Sequence, residues 1–232
     1  ALLTVTHFRA TVSKHLCDLY KARDVLDFSA GWGDRLTGFL ASETVRTITL
    51  IDPRLGSIQA CIEQHKFVNA RLDKSDHTTK KTLAVHQKGA EVVMPKLPSS
   101  SFDLIITSPP YFNLENYGET EEQARGQIRK RTSTLDEYVA VFLRPVITHS
   151  ARLLRPGGVL ALNVDDNPAA GVFLCAPTLR IIREIPGLEL VGTAGLRKAR
   201  GFGQGVAHDR AARAEPIFIA RKTTKKKRSA SH

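Results

Sequence analysis

The chain has 232 residues, enough for one domain with a substantial core and too few for two domains of ordinary size. Its 42% hydrophobic and 25% charged residues are typical of a soluble globular protein and exclude a disordered or fibrous chain, and no apolar run approaches the roughly 20 residues of a membrane span. The net charge of +11, with six cations and no acid in the last twelve residues, favours either a polyanionic partner or a solvated tail.

Hydrophobic periodicity predicts strands that alternate with helices. Strands are predicted at 25–28, 47–52, 82–86, 102–107, 159–164, 188–192 and 216–220, and helices at 34–40, 55–67, from Thr134 to the Pro-Gly-Gly at 156–158 with a bend near Pro145, and at 171–185. Only a loop separates the last two strands, so we expect them to pair antiparallel. The pattern predicts an α/β fold, a doubly wound, mostly parallel seven-stranded sheet with an antiparallel last strand and a site at the carboxyl ends of its strands.

Residues 27–34, with the sequence Asp-Phe-Ser-Ala-Gly-Trp-Gly-Asp, join the first strand to a helix, as nucleotide-binding turns do. Asp52 closes the second strand and has a carboxylate suited to both hydroxyls of a ribose. A dinucleotide is disfavoured, because Leu36 replaces the third glycine of its fingerprint and Asp34 would repel a pyrophosphate. A phosphate-free adenosine cofactor with a cationic amino acid, such as S-adenosylmethionine, fits better. The alternative is that the polar residues of this turn only cap the helix.

The fourth predicted strand ends in Ser108-Pro109-Pro110-Tyr111, the most specific segment of the chain. The two prolines fix the exit from the strand and remove two amide donors, which leaves the Ser108 hydroxyl and neighbouring carbonyls as acceptors beside an aromatic ring. Such a surface suits a planar base whose exocyclic amine donates to the oxygens while the base stacks on Tyr111. Acceptors outside the ring plane would localise the nitrogen lone pair for attack on a methyl sulfonium. A rigid turn without a catalytic role is the alternative.

Together these motifs resemble those of the amino-methyltransferases, which modify N4 of cytosine or N6 of adenine in nucleic acid. Residues 28–33 resemble the cofactor motif, residues 108–111 the catalytic motif, and Arg155-Pro156-Gly157-Gly158 a turn typical of S-adenosylmethionine-dependent methyltransferases. The resemblance covers about residues 5–221. It implies a Rossmann-like class I methyltransferase fold, S-adenosylmethionine as cofactor, and catalytic roles for Ser108, Pro109, Pro110 and Tyr111. Serine in place of aspartate or asparagine at position 108 favours cytosine N4.

By the same resemblance, cofactor contacts extend beyond the glycine turn. The cofactor motif precedes the catalytic motif, an order that places residues 6–9 at the methionine end of the cofactor and residues 89–91 near its adenine. The implied cofactor-binding residues are Thr6, Phe8, Arg9, Asp27, Phe28, Ser29, Ala30, Gly31, Gly33, Asp34, Asp52, Ala90, Glu91 and Ser108.

The chain departs from sequence-specific DNA methyltransferases, which carry a sizeable target-recognition domain. Residues 112–133 mix acidic and basic side chains and are predicted to form a lid, while residues 196–215 are predicted to form a basic, glycine-containing loop that follows a phosphate backbone. The nucleic-acid-binding residues expected there are Arg197, Lys198, Arg200, Arg210 and Arg213. A short loop reads few bases, so we expect low intrinsic sequence specificity, or specificity supplied by a protein partner, a homodimer or an unusual substrate.

We therefore expect an enzyme that methylates an exocyclic base amine, with DNA favoured over RNA. The alternatives are methylation of RNA bases or RNA ends, methylation of a protein amide or small molecule, and an inactive nucleic-acid-binding module that keeps the fold. Cys61 and His65 lie four residues apart on a helix but lack further ligands, so no metal is expected.

Residues 1–220 are expected to form the catalytic domain, and residues 221–232 a basic, disordered tail. Three scattered cysteines and the lack of a secretory signal at the start predict an intracellular protein without membrane contact. The cluster Lys225-Lys226-Lys227-Arg228 resembles a nuclear localisation signal or a nucleic-acid-binding tail. The expected compartment is the nucleus if the cluster is such a signal, and otherwise the cytoplasm.

Overall fold

The computed structural model of the chain describes residues 8–72, 80–110, 112, 132–197 and 214–224. The strands are β1 (Asp24–Asp27), β2 (Thr47–Ile51), β3 (Thr82–His86), β4 (Phe102–Thr107), β5 (Leu154–Asn163), β6 (Leu188–Arg197) and β7 (Ala214–Lys222). The helices are α1 (Ala10–Leu19), α2 (Asp34–Ala41), α3 (Leu55–Leu72), α4 (Ala90–Val93), α5 (Leu135–Tyr138), α6 (Arg144–Leu153) and α7 (Cys175–Glu184). Within these described residues, none of the helices is both long and apolar enough to cross a bilayer.

The seven strands form one sheet in the order β3-β2-β1-β4-β5-β7-β6. The neighbours among β1 to β5 pair parallel, whereas β7 pairs antiparallel with both β5 and β6. This confirms the predicted doubly wound α/β sheet and its antiparallel end. The strand order reverses between β1 and β4, and ligands of such sheets bind at the carboxyl ends of the strands on either side of the reversal.

Successive residues of each central strand supply two separate cores, because strand side chains alternate between the two faces. Leu104 and Ile106 of β4 pack on the side of α1, α2 and α3, whereas Ile105 packs on the side of α4 to α7. All three side chains are fully buried. Such continuous apolar strands are typical of a parallel sheet covered on both faces, and they made β4 the clearest strand in the sequence.

Helix α1 lies before the first predicted element and is an addition that the sequence pattern did not predict. It packs against α2 at Gly38, where a Cβ atom would lie 2.0 Å from Ser13 Oγ and 2.3 Å from the Ala10 carbonyl oxygen. Only a residue without a side chain permits two helices to approach this closely. The glycine therefore has a packing role that becomes visible only when both helices are in place.

The helical segment after residue 132 follows the prediction at its start and departs from it at its end. Thr134 caps α5 by accepting a hydrogen bond from the Glu137 N–H at 3.1 Å. A π-helical stretch, Val139–Leu143, precedes Pro145 where a bend was expected. The helix ends at Leu153, earlier than predicted, because the Arg-Pro-Gly-Gly segment belongs to β5 as an irregularity between its pairs with Phe102 and Leu104.

The last two strands are longer than the sequence pattern predicts. β6 continues to Arg197 and β7 begins at Ala214, and these two residues pair with each other. At its other end β7 continues through Arg221 to Lys222, whose Nζ donates to the Leu154 carbonyl at 2.6 Å. The first two cations of the predicted tail are thus part of the sheet, two residues beyond the expected domain boundary.

Candidate active site

Hydrogen bonds join the carboxyl ends of β1, β2 and β4 into one continuous wall. The Ala30 N–H donates to the Ile51 carbonyl at 3.1 Å, which ties the turn after β1 to the end of β2. The Thr107 hydroxyl at the end of β4 donates to Asp27 Oδ1 at 2.8 Å. The predicted cofactor and catalytic motifs, far apart in sequence, therefore meet at the reversal of strand order.

The turn after β1 depends on two glycines in the left-handed region, Gly31 with φ of 56° and Gly33 with φ of 86°. A Cβ on Gly31 would have no neighbour closer than the Ser29 carbonyl oxygen at 3.8 Å, so the space above this residue is open. Gly33 is the N-cap of α2 and has no side chain to cap the helix, and both carboxylate oxygens of Asp27 are bound to other partners. Asp27 therefore does not cap α2, contrary to the alternative that the polar residues of the turn only cap this helix.

Asp52 follows β2 and faces this turn with only 6% of its surface exposed. Its Oδ2 accepts from the Gly31 N–H and its Oδ1 from the Arg54 N–H, each at 2.9 Å. Burial raises the pKa of the Asp52 carboxyl above its ordinary value, although the two N–H donors act in the opposite direction. Each oxygen keeps a second lone pair, so the fixed carboxylate has the geometry to accept both hydroxyls of a ribose.

Asp27 lies beneath the turn, and its carboxylate is occupied by internal partners. Oδ1 accepts from the Ser29 N–H at 3.1 Å and from Thr107, while Oδ2 accepts from Arg35 Nε at 2.7 Å in an ion pair whose side chains are almost fully buried. Arg35 also donates to the Ser29 carbonyl. Sequence reasoning missed Arg35, for which the only signal was an arginine in the first turn of the helix eight residues after an acid.

Arg35 also orders the segment before α1. Its guanidinium lies 5.4 Å from the centre of the Phe8 ring, and Phe8 itself is buried. Arg9 directly precedes α1 and is exposed. Phe8, which was predicted to contact the methionine end of the cofactor, therefore packs against Arg35 beneath the glycine turn. Thr6, predicted for the same contact, lies outside the described residues.

Ser108, Pro109 and Pro110 leave β4 at this wall, and a buried tyrosine fixes them from behind. The Tyr138 hydroxyl donates to the Pro110 carbonyl at 2.7 Å, and its ring packs 5.8 Å from Phe112 and 5.4 Å from Phe142 between ring centres. Ser108 is half-buried, and its hydroxyl makes no hydrogen bond to a described residue. No sequence feature indicated a role for Tyr138, because it lies 28 residues from its hydrogen-bond partner.

The remaining predicted site residues are distributed around the same edge. Ala90 is buried at the start of α4 after β3, with Glu91 half-buried beside it. Asp34 lies in the first turn of α2, and Phe28 and Ala30 are buried in the turn. Tyr111, Lys198, Arg200, Arg210, Arg213 and the side chain of Arg197 lie outside the described residues.

The structure does describe the ends of β6 and β7, which flank the predicted basic loop in the sequence. β7 runs antiparallel to β5, and Asn163 at the carboxyl end of β5 pairs with Ile217 near the start of β7. Arg197 and Ala214, which flank residues 198–213 in the sequence, thus lie at the edge that carries Ser108 and Asp52.

A tryptophan and an arginine form the rim of the site, and sequence reasoning gave neither a role. Trp32 lies between the two glycines and is 55% exposed, and the Arg54 guanidinium lies 4.5 Å from its ring centre. The sequence feature that could have indicated this role is the aromatic residue between the two glycines of the turn.

The helix pair Cys61 and His65 has a structural role. His65 Nε2 is 2.7 Å from the Lys81 carbonyl oxygen, a contact that ties α3 to the segment before β3. Cys61 is buried beneath Gly33. Over the described ranges, no three His, Cys, Asp or Glu side chains are grouped to hold a metal ion.

The family of N6/N4 methyltransferases, described as DNA methylases, matches residues 102–232, more than half of the chain. The chain belongs to this family. A curated relative, the Type II methyltransferase M.Cfr9I from Citrobacter freundii, is 34% identical over 79 residues, which are 34% of this chain and 24% of that protein. The match thus spans about a quarter of the length of the curated relative.

Solved structures of low sequence identity share the fold of this chain. TrmN from Thermus thermophilus superimposes with a TM-score of 0.57 at 16% identity, over 92% of this chain and 48% of that chain. The N-methyltransferase NodS from Bradyrhizobium japonicum WM9 gives 0.54 at 14% identity, over 92% and 94%. These structures confirm the predicted Rossmann-like methyltransferase fold, and the family implies S-adenosylmethionine as the methyl donor, which the open Gly31 backbone and the fixed Asp52 carboxylate fit.

Proposed function

We propose that this methyltransferase transfers the methyl group of S-adenosylmethionine to an exocyclic base amine in nucleic acid, with cytosine N4 in DNA as the preferred acceptor. The observation that carries the proposal is the position of Ser108-Pro109-Pro110. These residues leave β4 beside the turn that carries Gly31, and the Thr107–Asp27 hydrogen bond joins the two segments. The proposed acceptors for the amine and the proposed binding site for adenosine therefore lie side by side at the carboxyl ends of the strands.

Asp52 and the glycine turn would hold the cofactor. The Asp52 carboxylate accepts the two ribose hydroxyls through its remaining lone pairs, and the open backbone at Gly31 admits the ligand without a Cβ in the way. The bound cofactor supplies an electrophilic methyl sulfonium. Arg35 and Asp27 lie beneath the turn and keep it in place before any ligand arrives.

Ser108 and the Pro109 carbonyl would accept the two amine hydrogens of the target base. The Pro110 carbonyl is already occupied by the Tyr138 hydroxyl, which leaves the Pro109 carbonyl as the neighbouring acceptor. Two acceptors on one side of the base localise the nitrogen lone pair on the other side, toward the methyl group. The serine hydroxyl is too weak a base to ionise the amine, so the amine proton leaves during or after transfer to the nitrogen.

The proposal of DNA as the substrate and the proposal of cytosine as the target base rest on different observations. The family is described as DNA methylases and the curated relative is a Type II methyltransferase, which favours DNA. The serine at position 108 favours cytosine N4 by resemblance to the family. The backbone pair of Arg197 with Ala214 lies at this edge, which supports a role in holding the phosphate backbone for the basic residues in or next to this part of the sequence, Arg197, Lys198, Arg200, Arg210 and Arg213.

Mass spectrometry of nucleosides tests the proposal directly. DNA and RNA of matched sequence are incubated with the enzyme and isotopically labelled cofactor and then digested. We expect labelled N4-methylcytosine from DNA, and a roughly 100-fold lower turnover for Ser108→Ala at unchanged cofactor affinity. Ser101→Ala, at the opposite end of the β4 segment, is the matched control and should retain full activity. Label in N6-methyladenine or in RNA alone would correct the acceptor, and equal activity of Ser108→Ala would overturn the assigned site.

A further inference from the structure

A cleft of about 470 Å³ opens at the amino-terminal edge of the sheet, opposite the edge that carries Ser108 and Asp52. The residue before β1, the start of β4, the Arg-Pro-Gly-Gly segment of β5 and the end of β7 form its walls. Its charged lining residues are Lys21, Arg23, Asp103, Arg155 and Arg221. None of these residues has a role in the proposed methyl transfer.

The acidic groups of this cleft are already neutralised by neighbours. Arg155 Nη1 donates to Asp103 Oδ1 at 2.7 Å and lies 2.8 Å from Asp24 Oδ2. The other Asp103 oxygen accepts from the N–H groups of Arg23 and Asp24 at 2.9 and 3.0 Å. Both carboxylates are therefore held by one guanidinium and two amides.

The cations of the cleft exceed its acids. Within the described residues, Lys21, Arg23 and Arg221 have no carboxylate partner, and all three are exposed. Arg155 uses one nitrogen for both of its carboxylate contacts, so the edge formed by its Nε and Nη2 is not engaged by the described residues. A guanidinium that is fixed on one side and open on the other suits bidentate recognition of a phosphate.

We propose that this cleft binds a backbone phosphate of the nucleic acid, on a segment separate from the one whose base enters the active site. The inference rests on the proposed function, because the partner is the same polymer. A polymer is favoured over a free phosphate because further cations follow in the sequence. Thr224 Cγ2 lies 4.0 Å from the Cβ position of Gly157 in the cleft wall, and Lys225 to Arg228 directly follow it in the chain.

The distance between the two edges of the sheet is short enough for one duplex to span. A strand of six residues such as β4 spans roughly 20 Å, which corresponds to about six base pairs along a duplex. A duplex of 40 base pairs is therefore long enough to contact both edges.

The test measures binding of a 40-base-pair duplex as a function of salt. Arg23→Gln with Arg221→Gln neutralises two cleft cations, and Arg180→Gln with Arg183→Gln on α7 is the control of equal charge. We expect the cleft variant to reduce the slope of log affinity against log salt by about 1.8, which corresponds to about a tenfold change over a fourfold range of salt. The control should reduce it far less, and both should methylate a saturating 12-base-pair duplex at the wild-type rate.

Further measurements distinguish a backbone phosphate from a free phosphate. They also distinguish failure of the cleft inference from failure of the proposed function. Lys21→Gln with Arg23→Gln, which leaves β7 intact, should reproduce the effect, and thermal unfolding checks that each variant is folded. Equal slopes for the cleft and control variants, with DNA still methylated, would overturn the cleft inference alone. Inorganic phosphate that binds the wild type but not the cleft variant in phosphorus NMR, without a change in the DNA slope, would assign the cleft to a free phosphate. Failure of the wild type to methylate DNA would instead overturn the proposed function.

Discussion

Aspartates at the two edges of the sheet differ in their hydrogen-bond partners and in the direction in which their pKa is shifted. At the carboxyl edge Asp52 is held by two backbone N–H groups, and burial raises the pKa of its carboxyl. At the amino edge burial acts on Asp103 in the same direction, but two N–H groups and the Arg155 guanidinium outweigh it and lower the pKa. The comparison indicates that the amino edge satisfies its acid internally, whereas the carboxyl edge keeps an acceptor available for a ligand.

Asp27 extends the comparison, because it lies at the carboxyl edge but is treated like Asp103. It is fully buried and paired with Arg35, so its charge serves the glycine turn and not the ligand. Of these two acids at one edge, Asp27 therefore holds the glycine turn, whereas Asp52 is the one proposed to accept the cofactor ribose.

The largest effect is expected from Arg35→Met, which keeps the volume but leaves the Asp27 carboxylate buried without its cation. Breaking a buried pair on one side costs about 3–5 kcal/mol of unfolding free energy. Arg155→Met at the other edge is the matched control, and since its side chain is 39% exposed its loss should be about 1 kcal/mol or less. Urea unfolding measures both. Equal losses would contradict the distinction between a buried pair and a half-exposed one.

Asp52→Asn should weaken S-adenosylmethionine binding by about 1.5–3 kcal/mol, because an amide replaces a charged acceptor of two ribose hydroxyls. This corresponds to roughly a 10- to 100-fold higher Kd. Isothermal titration calorimetry measures the affinity, and Asp103→Asn at the other edge should leave it unchanged. If both variants bind the cofactor as the wild type does, Asp52 is not the ribose acceptor.

Tyr138→Phe should slow methyl transfer while cofactor affinity stays constant. The variant removes the hydrogen bond to the Pro110 carbonyl, worth about 0.5–1.5 kcal/mol, but keeps the ring between Phe112 and Phe142. We expect kcat to fall about two- to tenfold. Phe142→Leu, which alters packing in the same cluster without touching Pro110, is the control. A similar kcat loss in both variants would show that packing, and not the hydrogen bond, positions the turn.

Local features of the fold were predictable from the sequence, whereas side-chain pairings between residues far apart in the chain were not. Strand β4 and the glycine turn were visible because continuous apolar residues and left-handed glycines have local causes. Asp52 was visible because it ends a strand. Arg35 and Tyr138 were not, because each acts through a partner that only the folded chain brings near. The cleft could not be predicted from the sequence for the same reason, since its cations come from three separate segments.

The smallest expected effect is on stability at acidic pH. There Asp103 and Asp52 should change the unfolding free energy with pH in opposite directions. Because the folded-state pKa of Asp103 is lowered, its contribution to stability is present above its ordinary pKa and is lost as the pH falls through the lowered value. Asp103→Asn should therefore flatten the loss of stability below about pH 4. The pKa of Asp52 is raised, so its contribution declines as the pH rises through the raised value, and Asp52→Asn should remove that decline. Unfolding free energies of the cofactor-free protein between about pH 2.5 and 6 measure both slopes. Changes of the same sign in the two variants would contradict the contrast between an acid satisfied by the protein and an acid kept for a ligand.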